Sequence, residues 1–189
     1  MNKFAFIAVA AAMVSTSAFA APTDSQSLTV TATVAPECSI GDPTDVNFAN
    51  VIINQDPGAN ALLINSQSGG GTQNNTQPLW VSCNYGAQTK ITSTNGGLVN
   101  PEPNDGNDKD DFTNVIEYRV SLTAGSNQAF HTHHLFTKDG GAGVSSTRSN
   151  TDAFHDEASL RVYIFNGDNP LRPLSGAYTD TVTLSLGAV

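Results

Sequence analysis

The sequence predicts an all-β fold, and three observations carry this prediction. Apolar and polar residues alternate over many short stretches, which places the apolar side chains on one face of an extended strand. Glycine, proline and asparagine separate these stretches, a pattern typical of a β-sandwich. No stretch of useful length shows the apolar stripe of a helix, and nothing repeats at a fixed period. The predicted strands are residues 27–35, 46–48, 61–64, 79–83, 90–93, 115–123, 129–136, 158–165 and 178–186, with polar loops at 66–77, 95–111 and 140–152.

The clearest alternation of the chain lies in residues 27–35. Its apolar face consists of Leu28, Val30, Ala32 and Val34, and threonines occupy the positions between them. Valine and threonine branch at Cβ, which suits a strand. A strand with one apolar face needs a sheet that buries this face.

Residues 1–20 have the composition of a secretory signal peptide. Lys3 supplies the positive charge, residues 4–14 form an uncharged apolar run, and Ala18-Phe19-Ala20 fits the small-x-small cleavage pattern. The run is too short to span a bilayer comfortably, and no later stretch is apolar enough to insert into a membrane. We expect export, with 189 − 20 = 169 residues left after cleavage. This length suffices for one β-domain.

The net charge excludes two classes of partner. Without Lys3 the chain has 7 basic and 17 acidic residues, a formal charge of 7 − 17 = −10. Nucleic acids and anionic lipids bind basic surfaces, so neither is expected as a partner.

The two cysteines, Cys38 and Cys83, are an even number in a chain predicted to be exported, which favours one disulfide. Two buried free thiols are the first alternative. A metal site built from two isolated cysteines is the second.

The last predicted strand has no successor that could lie beside it, because the sequence ends at Val189. We therefore expect the sandwich to lack a strand at this end and to leave part of its core open, whereas residues 27–35 are a surplus strand. Strand addition between molecules would join the two facts, because the surplus strand of one chain would fill the gap in the next. The alternative is that residues 27–35 are the first strand of their own sandwich.

Four segments of the chain resemble the spore coat protein U-like family, which includes the subunits of archaic chaperone–usher pili. Residues 28–41 resemble its N-terminal strand and first cysteine. Val46-Asn-Phe48 resembles its Leu-x-Phe-Gly element, with Ala49 in place of the glycine, and residues 79–86 resemble its second-cysteine strand. Residues 176–184 resemble its closing Gly-x-Tyr-x-Asp strand, and the four segments occur in the family's order.

The resemblance implies an incomplete immunoglobulin-like β-sandwich that a donor strand from a neighbouring subunit completes. It implies a signal peptide at 1–20, a donor-strand extension at 21–36 and a pilin domain at 37–189, with a Cys38–Cys83 bridge. The subunit would travel through the periplasm with a chaperone, pass an outer-membrane usher and polymerise into a cell-surface fimbria that supports adhesion or biofilm formation. The donor face would be Leu28, Val30, Ala32 and Val34, and the border of the acceptor groove would be Val182, Leu184 and Leu186.

Two polar clusters could in principle bind metal. His131 and His133 would point the same way on a strand, and His134 is adjacent, but the spacing matches no closed metal motif. The acidic residues of 104–111 resemble a calcium loop in composition only, since Lys109 stands where an oxygen ligand is needed. We therefore expect neither a metal nor another cofactor.

The sequence lacks the nucleophile elbow, phosphate loop and zinc-protease motifs of enzymes, so catalysis is not expected. The preferred interpretation is a structural pilus subunit. The alternative is a monomeric secreted binding module for glycan or metal, in which exposed aromatic residues stack against sugars. The aromatic candidates are Trp80, Tyr85, Tyr118, Tyr163 and Tyr178.

Overall fold

The computed structural model describes residues 25–65, 72–125 and 131–188. Apart from two single-turn 3-10 helices, its regular elements are β-strands, which confirms the all-β prediction. The strands are β1 (Cys38–Ile40), β2 (Thr72–Cys83), β3 (Ala87–Ser93), β4 (Leu98–Val99), β5 (Phe112–Thr113), β6 (Val115–Ile116), β7 (Arg119–Thr123), β8 (His133–Phe136), β9 (Ser145–Ser149), β10 (Phe154–Phe165), β11 (Arg172–Pro173) and β12 (Val182–Ala188).

The chain divides into two units, residues 1–34 and 35–189. In the first unit only residues 25–34 are described, and they belong to no strand. Three apolar side chains of the predicted strand are exposed: Leu28 to 87%, Val30 to 83% and Val34 to 79%. The composition favours a strand here, but a strand forms only where a partner supplies hydrogen bonds.

Two sheets form the second unit. The larger has the order β1-β2-β10-β7-β8 and is antiparallel throughout. Its longest ladder joins β2 to β10 over twelve pairs, from Cys83 opposite Phe154 to Thr72 opposite Phe165. The smaller sheet has the order β12-β3-β9, and two short pairs, β4–β6 and β11–β5, stand apart. The edge strands β8 and β9 are neighbours, as are β1 and β12.

The core lies between the sheets, and the predicted alternation places its side chains there. Leu79, Val81 and Cys83 of β2 are buried, whereas Trp80 between them is exposed. β3 and β10 repeat this alternation, and the buried apolar residues they and their neighbours contribute are Ile116, Tyr118, Val120, Leu122, Leu160 and Ile164 in the second half of the chain and Ala87 and Ile91 in β3. One apolar cluster results, in agreement with the predicted sandwich.

Several predicted boundaries are wrong. The predicted loop at 140–152 contains β9, and β2 begins at Thr72 inside the predicted loop at 66–77, of which residues 66–71 lie outside the described residues. Both added segments are rich in serine, threonine and asparagine, and they join their sheets through backbone pairs with β3 and β10. Conversely, residues 46–48 form no strand, and residues 61–64 form a turn that ends in one bridge between Ile53 and Ile64.

The predicted disulfide between Cys38 and Cys83 is present. The two cysteines are directly opposite each other in the β1–β2 ladder, with their Cα atoms 4.1 Å apart. The bridge therefore attaches a three-residue edge strand covalently to the long strand β2.

We expect the disulfide to stabilise the fold mainly by restricting the unfolded chain. Its loop of 45 residues corresponds to about 4 kcal/mol in the chain-entropy model. Urea unfolding of the oxidised chain and of the double variant Cys38→Ala/Cys83→Ala should differ by about this amount. A reductant should lower the stability of the native chain and leave that of the variant unchanged, and equal stability of the two oxidised proteins would refute the expectation.

A polar cluster beside β7 combines a buried carboxylate with two cations. Asp168 accepts from Arg119 Nε at 2.5 Å and from Lys138 Nζ at 2.8 Å, and these contacts, that with Arg119 above all, lower the pKa of Asp168. Glu117 lies nearby and accepts from the Thr137 hydroxyl. Burial raises the pKa of Glu117, and the charge of Asp168 adds to this rise.

Because its folded-state pKa is raised, Glu117 favours folding when protonated, and this contribution is lost as the pH rises through the raised pKa. The substitution Glu117→Gln keeps an oxygen that can accept from Thr137 and removes the charge. We expect the variant to match the native chain at acidic pH and to exceed its thermal midpoint increasingly towards neutral pH. Thermal unfolding across the pH range tests this, with the exposed Glu102→Gln as the control; the same difference between Glu117→Gln and the native chain at every pH would contradict it.

Candidate functional site

One edge of β12 carries no strand among the described residues. Its other edge pairs with β3 over seven residues, from Val182 opposite Ser93 to Ala188 opposite Ala87. Val182, Leu184 and Leu186 are half-buried and pack against the core, whereas Thr183 and Ser185 are exposed. The predicted alternation of this strand is confirmed, and the strand offers a backbone edge next to the core.

An open groove of about 610 Å³ runs beside β12. Val182 and Leu184 line one side of it, and Leu160 and Val162 of β10 extend the apolar lining. Leu186 lies on the same face of the strand but is not among the lining residues. The groove therefore exposes part of the core between the sheets and can accept apolar side chains from one face of an extended peptide.

Residues 43–48 line the groove as well, and we call them the far wall. Within the far wall, Val46 and Phe48 are half-buried and the residues between and around them are exposed. No backbone–backbone hydrogen bond joins residues 42–48 to other described residues. The Gln77 side chain holds this segment through Thr44: its Oε1 accepts from the Thr44 amide at 2.7 Å and from the Thr44 hydroxyl at 2.8 Å, and its Nε2 donates to the Thr44 carbonyl at 2.9 Å.

Asp180 makes one end of the groove polar. One of its carboxylate oxygens accepts from the Ser93 hydroxyl at 2.5 Å and from the Tyr118 hydroxyl at 2.6 Å. The other accepts from the backbone amides of Asn95 at 2.9 Å and Thr181 at 2.7 Å. Burial, followed by the bond to Asp180, raises the pKa of Tyr118, which stays a neutral donor. Asp180 thus fixes the beginning of β12 against both sheets.

We expect Asp180→Asn to lower the free energy of unfolding by about 1–3 kcal/mol, because an amide provides only one acceptor oxygen for the four donors. Urea unfolding measures this loss, and the exposed Asp105→Asn is the control. A variant as stable as the native chain would show that the four hydrogen bonds contribute nothing net.

A second cavity of about 680 Å³ adjoins the groove. The two cavities share Leu98, Tyr178 and residues 46–48 of the far wall. Phe112, Ile116 and Leu174 add to the apolar lining of the second cavity. The far wall therefore contacts both openings, and its position determines the shape of each.

A family model for the Spore Coat Protein U domain matches residues 24–185. The chain belongs to the spore coat protein U domain family. This is the family of chaperone–usher pilus subunits, which are structural proteins of surface fimbriae. Comparison of the chain with curated proteins and with solved structures found no match. No helix in the described part of the chain is long and apolar enough to cross a membrane.

The structure separates the histidines of the candidate metal cluster. His133 is buried in this spore coat protein U domain: its Nε2 lies 2.9 Å from Ser146 Oγ, and burial lowers its pKa. His131 precedes β8 and is exposed, as is His134. The prediction that His131 and His133 share one face is therefore wrong, because the strand begins only at His133. The described residues contain no group of three or more candidate metal ligands.

The structure also shows the surroundings of the acidic loop and of two aromatic candidates, Trp80 and Tyr118. Asn104 Nδ2 donates to the carbonyl oxygens of Lys109 and Phe112, at 2.9 and 2.7 Å, so an amide closes this exposed turn. Trp80 is 50% exposed and stacks on His155 with a centroid distance of 4.9 Å. Tyr118 is buried, so an exposed stacking role for it is wrong.

The resemblance singled out Val182 and Leu184, which line this groove, whereas no sequence pattern pointed to a role of Tyr118, Asp180 and Gln77 in it. The contact between Tyr118 and Asp180 spans 62 positions, and no local pattern signals it. The disulfide could have signalled Gln77. If Cys38 and Cys83 face each other in an antiparallel pair, the same register places Thr44 opposite Gln77.

Proposed function

We propose that this chain is a fimbrial subunit that polymerises head-to-tail, with residues 25–35 of one subunit inserted into the groove of the next. The observation that carries the proposal is a groove with an apolar lining from β10 and β12 beside an unpaired edge of β12. The exposed Leu28, Val30 and Val34 match this groove in chemistry. Ala32, on the same predicted face, completes the donor set.

The lengths also agree. At about 3.3 Å per residue, the span from Leu28 to Val34 is roughly 20 Å, the same as that from Val182 to Ala188. A second copy therefore supplies a strand long enough to pair with β12 along its full length. The alternative, in which residues 27–35 are an ordinary strand of their own sandwich, predicts a strand there, and residues 27–34 carry none.

Burial of the donor side chains supplies the driving force. Each fully buried aliphatic side chain contributes about 1.5–3 kcal/mol. Ordering the inserted residues costs about 1–2 kcal/mol each, which the new backbone hydrogen bonds on β12 help to offset. Because donor and acceptor are different surfaces, the contact is head-to-tail, and repeated addition that does not close on itself gives an open filament.

An open groove and an unpaired edge are aggregation hazards before assembly. The proposal therefore includes cleavage of residues 1–20, a periplasmic chaperone that covers the groove, and an outer-membrane usher that exchanges the chaperone for the next subunit. The extension comprises residues 21–36 and the pilin domain residues 37–189. The resulting fibre supports adhesion or biofilm formation at the cell surface.

The substitution Val30→Asp tests the proposal. An aspartate on the apolar face would have to enter the groove, and the cost of burying an unpaired charge is several kcal/mol. We expect export of a folded subunit but loss of fibres in electron micrographs and of polymer ladders on gels.

Thr31→Asp is the matched control, since it adds the same charge to the opposite face of the same strand. It should leave most of the polymer intact. Normal fibres from Val30→Asp, or equal loss in both variants, would refute insertion of this face.

A further inference from the structure

The register of the β1–β2 ladder explains where the far wall begins. Cys38, Ser39 and Ile40 lie opposite Cys83, Ser82 and Val81. Backbone hydrogen bonds flank these pairs: the Asn84 amide donates to the Glu37 carbonyl at 3.1 Å, and the Gly41 amide donates to the Trp80 carbonyl at 2.8 Å. In an antiparallel ladder the hydrogen-bonded pairs alternate with non-bonded ones. The hydrogen-bonded pairs here are therefore every second pair from Glu37 onward.

The next hydrogen-bonded pair in this register would be Pro43 opposite Pro78. Neither residue has a backbone N–H, so this pair can make neither of its two ladder bonds. The ladder ends at Gly41 and Trp80 for this reason. Two facing prolines at the position of a bonded pair remove both of its backbone hydrogen bonds, whereas a single proline would remove only one.

Beyond the break, a side chain of β2 holds the edge segment. Thr44 is opposite Gln77 in the same register, at a pair that the ladder leaves without backbone bonds, and its amide and carbonyl bond to the Gln77 side chain at 2.7 and 2.9 Å. A carboxamide carries the donor and the acceptor of a peptide group, so it binds both backbone groups of Thr44 at the distance of a side chain. The edge segment is thereby held away from β2 and forms the far wall of the groove, which Val182 lines as well.

We propose that Pro43 and Pro78 divert the edge segment out of the larger sheet, and that Gln77 fixes it there as a second docking edge for the incoming strand. This inference rests on the proposed function. Residues 45–48 keep backbone groups without backbone partners among the described residues, as does the outer edge of β12. The occupant is the segment 25–35 of a second copy, which lies between the two edges and pairs with both. Pro43, Pro78 and Gln77 are positioning residues, because they act through residues 45–48.

The test restores the missing donors. The double variant Pro43→Val/Pro78→Val supplies both N–H groups, so the ladder continues and residues 43–46 join β2. The acceptor is the exported chain with Val30→Asp, which prevents donation of its own segment. The probe is a fluorescent synthetic peptide of residues 25–35, and fluorescence anisotropy gives its association rate and affinity. Pro57→Val, at an exposed turn, is the control for loss of a proline.

We expect the double variant to bind the peptide at least about tenfold more weakly, a difference of about 1.4 kcal/mol, with a thermal midpoint no lower than that of the acceptor. A merely structural role for the prolines would lower the midpoint instead. Gln77→Leu removes the spacer without repairing the ladder, and it should release the peptide faster. This second variant keeps the test decisive if the double variant does not fold.

Hydrogen exchange on the same proteins separates the two proposals. Amides of residues 44–48 should gain protection when peptide binds to the acceptor, and those of residues 43 and 45, which face β2 in the continued ladder, should be protected without peptide in the double variant. Equal peptide binding by the acceptor, the double variant and Gln77→Leu would overturn the role of these residues and leave strand insertion intact. Failure of the acceptor to bind peptide would overturn the proposed function; unchanged exchange in the double variant would overturn the diversion by the prolines.

Discussion

The twelve-residue ladder between β2 and β10 is the interaction on which the rest of the second unit depends. β2 carries β1 on its other edge, holds the far wall through Gln77 and contributes Leu79 and Val81 to the core. β10 supplies the groove residues Leu160 and Val162. A single backbone pairing thus positions both the floor of the groove and the side chain that holds its far wall.

Polar anchors supplement this ladder where the chain lacks regular pairing. Asp180 joins Ser93 in the smaller sheet to Tyr118, which immediately precedes β7. On the other side of β7, Asp168 binds Arg119 and Lys138, and Arg119 also lies 4.6 Å from the ring centroid of Phe165. Both oxygens of each carboxylate accept hydrogen bonds, and most of the donors are distant in sequence.

Most of the fold could be predicted because the buried strands alternate, and alternation is a local property. The predicted strands 79–83, 115–123 and 158–165 are present, and their apolar side chains Leu79, Val81, Val120 and Leu160 are buried. The strands that were missed or shortened are polar, as in β9 and the beginning of β2, and backbone pairing with a better-defined neighbour recruits them. The neighbouring strand is distant in sequence, so no local pattern in a single sequence predicts this pairing.

The groove was predictable in part for the same reason. Its border on β12 follows from the alternation of Val182 and Leu184, whereas its far wall depends on the register between two strands that are distant in sequence. The disulfide fixes that register, so the pairing of Cys38 with Cys83 would have been enough to predict which residues of β2 face the far wall. The predicted strand at 46–48 is absent, and we attribute this to the facing prolines, which interrupt the ladder before this segment.

The position of the disulfide has a mechanical consequence in a fibre built by strand insertion. Tension on one subunit would enter through its inserted segment and reach Cys38 three residues after Ala35. The covalent bridge passes this force directly to Cys83 at the end of β2, so the few hydrogen bonds of β1 do not bear it. The load then acts along β2 and shears its twelve pairs with β10 together. Without the bridge, the three-residue edge strand β1 would separate from β2 first under load. With the bridge, β1 is no longer the mechanically weakest part of the polymer.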